Sequence, residues 1–226
     1  MQGPRTGWSI GVKSVAAAIA VALAVCGAWP ASAEEGTGNM VFFKGGYARM
    51  DSNRAGETFS DCGLTSTTCG QNNSHDGWYV GAGLDLVLSK NVWGGMDKTW
   101  VMGEIGMQFN RFSSSTVTGG VSALSAAPAK TQLTSVTIDV APKIKFMEGS
   151  ALRPWVIPAG LDIMVVSPPS NQTQYLDVGV QFGAGVEYEI WKAFKLGLDT
   201  RYHLMANMTN TSNSYFQVGP YVGISF

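Results

Sequence analysis

The stretch Gln217-Val-Gly-Pro-Tyr-Val-Gly-Ile-Ser-Phe226 alternates residue by residue, Phe216, Val218, Val222, Ile224 and Phe226 against Gln217, Gly219, Gly223 and Ser225, and stops on an aromatic. Period two is the signature of an extended strand with unlike faces. Beyond the first 33 residues no apolar run reaches the roughly 20 residues a helix needs to cross a bilayer. If these apolar faces meet lipid, strands must do the spanning, and their backbone groups must pair with one another.

Seven earlier segments repeat the alternation. The first sets Val41, Phe43 and Tyr47 against Lys44, Gly46 and Ala48, and the second Trp78, Val80, Leu84 and Leu86 against Tyr79, Gly81 and Asp85. The third opposes Val101, Ile105, Met107 and Phe109 to Met102, Glu104, Gln108 and Asn110. The fourth opposes Val136, Ile138, Val140 and Ile144 to Thr137, Asp139, Lys143 and Lys145. In the fifth, Trp155, Ile157, Leu161, Ile163 and Val165 form the apolar side, opposite Gly160 and Asp162. The sixth places Val178, Val180, Phe182, Val186 and Tyr188 against Asp177, Gln181, Glu187 and Glu189. The seventh places Leu196, Leu198, Tyr202 and Leu204 against Lys195, Asp199, Arg201 and His203. Charges within the strand middles take the polar parity; Arg49 and Arg111 depart from it, each where a strand leaves the bilayer. The fold class expected is all-β: an eight-stranded antiparallel up-and-down transmembrane β-barrel.

Connection lengths alternate. Polar loops at 51–77, 113–130, 167–174 and 205–214 are on average longer than those at 89–98, 147–153 and 191–192, the outer-membrane arrangement of long extracellular loops and short periplasmic turns. Aromatics sort to the two boundaries. Trp93, Trp100, Phe146, Trp155, Tyr188, Trp191, Phe194 and Phe226 are expected on the turn side, and Tyr47, Trp78, Tyr175, Tyr202 and Phe216 on the loop side.

Residues 1–33 read as a removable export signal: Arg5 and Lys13, an apolar core from Val15 to Ala28, then Ala31-Ser-Ala33. Residues 34–226 are then one barrel domain in the bacterial outer membrane, with periplasmic termini. A lipoprotein reading through Cys26 is disfavoured by the bulky Val25 before it. Two cysteines remain, Cys62 and Cys69, in a polar loop of an exported chain, and a disulfide is expected. A metal site there would find only His75 nearby. The formal net charge of −1 becomes more acidic once the signal is removed, which argues against nucleic acid as a partner.

Three stretches carry a family resemblance. Arg153-Pro-Trp-Val-Ile-Pro-Ala-Gly-Leu161, Gly183-Ala-Gly-Val-Glu-Tyr188 followed by Leu196-Gly-Leu-Asp-Thr-Arg-Tyr202, and the C-terminal strand resemble the small OmpA-like and opacity-type outer-membrane barrels. The resemblance covers essentially all of 34–226 and implies architecture rather than a particular activity. It also implies that Val222, Ile224 and Phe226 form the signal presented to the barrel-assembly machinery.

An eight-stranded barrel is just wide enough for side chains to fill. The lumen is expected to hold Lys44, Lys143, Lys145, Lys195 and Arg201 with Asp85, Glu104, Asp139, Asp162, Asp177, Glu187, Glu189 and Asp199, plus His203. Paired, these charges plug it; unpaired, they line a narrow pore. The expectation is therefore a non-enzymatic barrel, without cofactor, acting through its loops on an unknown extracellular ligand in envelope integrity, adhesion or recognition. A small-solute channel is the alternative. Arg49 and Arg111 are candidate contacts for lipopolysaccharide phosphates at the rim. A lipid-modifying enzyme needs a His beside a Ser or an acid facing lipid. His203 has inward parity and Leu204-Met-Ala-Asn207 lacks the Ser of a lipid A deacylase motif, while His75 sits in a loop.

Overall fold

The computed structural model describes residues 37–51, 75–90, 98–117, 129–167, 175–206, 208 and 212–226, with backbone alone at 113–117 and 129–131. The export-signal segment 1–33 and the Cys62–Cys69 loop lie outside the described residues. Among the described residues there are eight strands: β1 (Met40–Met50), β2 (Asp76–Lys90), β3 (Trp100–Val117), β4 (Ala129–Lys145), β5 (Leu152–Ser167), β6 (Leu176–Trp191), β7 (Phe194–Met205) and β8 (Tyr215–Ser225). Each pairs with its sequence neighbours, and β1 pairs with β8 from Met40↔Ser225 to Met50↔Tyr215, closing the barrel. All pairings are antiparallel.

The wall has the unlike faces that the alternation requires. Outward, Val80, Ile105, Met107, Ile138, Val140, Ile163, Phe182, Leu198 and Leu204 are exposed. Inward, Asp85, Glu104, Asp139, Lys143, Asp199 and Arg201 are almost wholly covered. A soluble protein reverses this order. An apolar exterior on a closed sheet around a polar interior suits hydrocarbon as the surrounding medium, because closure leaves no strand edge unpaired.

Strand β5 corrects the expected phase. Trp155 and Ile157 are 1% and 2% exposed and point into the lumen, whereas Leu161, Ile163 and Val165 face out as expected. The cause is a β-bulge: the β5–β6 register slips between Ile157↔Gly183 and Gly160↔Gln181, so Pro158 and Ala159 both face outward. One extra residue in a strand inverts the faces on either side of it. Pro158 belongs in such a place because it cannot donate to a ladder. Trp100 is also turned inward, only 9% exposed, so neither tryptophan belongs to the turn-side girdle. Tyr188, Trp191 and Phe226 remain outside there, as Tyr47, Trp78, Tyr175 and Phe216 do at the other rim.

Strands β3 and β4 continue past their neighbours to Val117↔Ala129, so the expected loop at 113–130 is in part strand. Its paired backbone stands clear of β2, whose ladder with β3 ends at Gly77↔Phe112.

The bulge generates a test. Trp155→Ala should lower the unfolding free energy of the refolded barrel by about 3–5 kcal/mol, the cost of emptying a packed aromatic site. Leu161→Ala, on the lipid side of the bulge, should change it by about 0.5 kcal/mol. Urea titration followed by heat-modifiable gel migration separates the two, and equal costs would restore the unbulged phase.

Candidate functional site

The lumen is layered along the barrel axis. Towards the loop end lies an apolar plug that includes Met50, Phe112, Leu133, Met164, Val166 and Met205. Beneath it sits a polar layer around one imidazole. His203 places Nδ1 2.7 Å from the Asp162 carboxylate, stacks on Tyr215 with ring centroids 4.4 Å apart, and holds Nε2 3.2 Å from the Gln217 side-chain oxygen. Gln217 in turn donates to Asn110 at 2.6 Å, and Gln108 donates to the Tyr215 hydroxyl at 2.9 Å.

The central layer is ionic. Arg201 donates Nη1 to Glu104 at 2.5 Å and Nη2 to Asp199 at 2.7 Å, with Asp139 at 3.6 Å. Lys143 joins Asp85 at 3.1 Å and Glu104 at 2.9 Å. Lys145 joins Asp85 at 2.9 Å and Glu187 at 3.0 Å, and Lys195 reaches Glu187 at 3.3 Å. Each carboxylate that takes two cations returns part of the desolvation cost of burying them. Lys44 is buried among these charges, yet its ammonium makes no direct hydrogen bond.

An aromatic floor completes the stack on the turn side. The Trp155 indole donates to the Tyr221 hydroxyl at 3.2 Å, and Tyr221 donates to Glu187 at 3.0 Å. Lys143 lies 4.4 Å above the Trp155 ring, a cation–π contact that the bulge in β5 makes possible. Nearer the mouth, Arg153 sits 4.8 Å from the Trp100 ring and pairs with Glu148.

Of the fourteen residues expected in the lumen, Lys44, Asp85, Glu104, Asp139, Lys143, Lys145, Asp162, Glu187, Lys195, Asp199, Arg201 and His203 are buried there. Asp177 is buried as well, but near the loop end, where Asn213 donates to it at 2.5 Å. Glu189 is only partly covered. The sequence reading missed the inward aromatics Phe42, Trp155, Tyr215 and Tyr221, and Arg153. Arg153 was itself a signal, because its charge shares parity with Trp155, although Arg49 and Arg111 show that charges at strand ends also stand outside. Arg49 and Arg111 stand outside at the loop rim; Arg49 is 3.9 Å from Asp76, and Arg111 donates to Gln132 at 2.5 Å. Beside them Tyr47 donates to Asp76, and Tyr202 to Asp51. His75 places Nδ1 3.1 Å from the Met50 carbonyl oxygen. Among the described residues no group of three His, Cys, Asp or Glu is placed to hold a metal ion.

This ladder, exterior and lumen define the class: a small closed β-barrel of the outer-membrane kind. No family model and no curated protein matches the chain. Solved structures similar to it include OprG from Pseudomonas aeruginosa, at 12% identity over 85% of this chain and 97% of that one, with a TM-score of 0.48. The outer-membrane enzyme PagL is similar at 14% identity over 83% and 99%, with a TM-score of 0.46. The N-terminal β-barrel domain of Pseudomonas aeruginosa OprF is similar at 15% over 84% and 99%, with a TM-score of 0.44.

The ionic layer makes a quantitative expectation. Glu104→Ala takes one carboxylate from both Arg201 and Lys143, leaving excess buried positive charge, and should cost about 3–5 kcal/mol. Arg49→Ala at the exposed rim should cost at most about 1 kcal/mol. Urea unfolding of both variants in the same detergent provides the comparison.

Proposed function

We propose that this chain is a non-enzymatic outer-membrane barrel of the OmpA-like and opacity type, with a plugged lumen, acting through its surface loops in envelope integrity, adhesion or recognition. The observation that carries this reading is the stack of side chains across the lumen: an apolar plug, a ring of paired charges and an aromatic floor. A lumen spent on internal pairing leaves the loops as the surface for encounter. The long connections face outward and the termini lie in the periplasm. Catalysis has little support: His203 is fully buried between Asp162 and Gln217, away from lipid and loops.

Outer-membrane lipid and lipopolysaccharide surround the barrel in this reading, with Arg49 and Arg111 at the depth of lipopolysaccharide phosphates. Val222 and Ile224 face outward on β8 and Phe226 is exposed, which suits a strand read by the barrel-assembly machinery. The second reading, a narrow small-solute channel, rests on one feature: Lys44 and both Asp139 carboxylate oxygens are buried without a hydrogen bond. Such groups are the ones a hydrated path would serve.

Planar-bilayer recording on the refolded chain decides between them. Silence across voltage and salt is expected. Discrete, reproducible openings abolished by Lys44→Met would replace the plug with a channel.

A further inference from the structure

On the outer wall a groove of about 490 Å³ crosses five strands. Nine of its eleven lining residues form two cross-strand rows of the hydrogen-bond ladder, with the Gly197↔Tyr221 pair between them. One row is Leu152, Tyr188, Leu196, Val222 and Phe43, each opposite the next on β5, β6, β7, β8 and β1. The second runs beside it as Val186, Leu198, Pro220 and Gly45, ending on its smallest residue at β1. Large residues on one side and a lower row that drops away at β1 on the other make a lane rather than a pit.

The floor is thinnest at the closing seam for a covalent reason. The β1–β8 ladder pairs Lys44↔Tyr221 and Tyr47↔Val218 but neither of the two positions between them. Pro220 has no N–H to give to the Gly45 carbonyl, and that oxygen lies against Gly219, where a Cβ would come within 2.2 Å of it. Gly219 and Gly46, where an added Cβ would meet the Val218 carbonyl oxygen at 2.3 Å, let the strands touch, while Gly45 on the outward parity leaves space that a side chain would otherwise fill.

We propose that this lane seats one acyl chain of a phospholipid from the leaflet on the short-turn side. The inference rests on the reading of the chain as a membrane barrel. Size, depth and chemistry select this occupant. Four interstrand steps of about 4.8 Å make the lane about 19 Å long. Strands tilted by about 45° incline the lane equally, so it descends about 13 Å, close to the depth of one leaflet in a hydrocarbon core of roughly 30 Å. It begins at Leu152, the first residue of β5, and so opens at the short-turn boundary. No charged side chain lines it. An elongated, apolar, one-leaflet recess fits hydrocarbon and offers nothing to a polar ligand.

The test uses the full barrel refolded into phosphatidylethanolamine–phosphatidylglycerol vesicles containing a phosphatidylethanolamine with a diazirine in its acyl chain. After irradiation, labelled peptides are mapped by mass spectrometry. Labelling of the segments around Phe43–Gly45, Leu196–Leu198 and Pro220–Val222 is expected to exceed that of the equally apolar wall at Ile105, Met107, Ile138 and Val140 by at least fivefold. Gly45→Leu, or Val186→Phe if the first variant folds poorly, should bring the lane to the level of that wall without changing the wall itself. Even labelling of both faces in an inserted barrel would overturn the lane and leave the membrane reading standing. Cross-links between two copies in place of lipid adducts would overturn it in favour of a self-association seam. A chain that does not insert into vesicles would overturn the membrane reading as well.

Discussion

A backbone amide in hydrocarbon has no water to bond with, and every feature of this molecule follows from meeting that demand with strands. The ladder must run from each strand to the next and return from β8 to β1, which it does from Met40↔Ser225 onward. Closure then divides the side chains into two populations that never mix. Those pointing out face the membrane, and those pointing in face one another across a space too narrow for anything but packing. The charged interior is thus forced rather than chosen: a polar residue of inward parity has only other inward residues to answer it.

How well it is answered differs along the axis. The central charges share partners, with Glu104 taking both Arg201 and Lys143, and Asp85 taking both Lys143 and Lys145. Towards the loop end the same role falls mostly to amides and a phenol, and Gln217, Asn110, Gln108 and Tyr215 join Asp162 in holding His203 in a fixed orientation. At the turn end aromatic rings take over, and the Trp155 face adds a cation–π contact to the carboxylates that hold Lys143. Three kinds of chemistry occupy one column, ordered by what each strand offers at that depth.

Much of this was legible from alternation alone, because a strand that faces lipid on one side must keep charge off it. The strands, the closed class and most of the buried lumen charges follow from parity. Parity fails where the count of residues changes. Pro158-Ala-Gly160 inserts one position in β5 and sends Trp155 inward, and only the charge on Arg153 betrayed the inversion beforehand. Contacts across the lumen were equally hidden. Arg201 meeting Glu104, or His203 meeting Asp162, depends on barrel shear and strand tilt, which place residues of non-adjacent strands at one height. No local pattern encodes that offset.

These cross-lumen bonds also shape how the barrel comes apart. Arg201 on β7 grips Glu104 on β3, and Lys145 on β4 grips Asp85 on β2 and Glu187 on β6. Each bond ties strands that the ladder does not join. A closed sheet held only by neighbour pairing could unzip from its thinnest joint, strand after strand. Here, parting β7 from the wall means carrying a guanidinium away from its carboxylates on the far side, and doing so leaves several charges uncompensated at once. Loss of one strand is loss of the whole, so the molecule has the all-or-none character of a knot in which every turn holds the others.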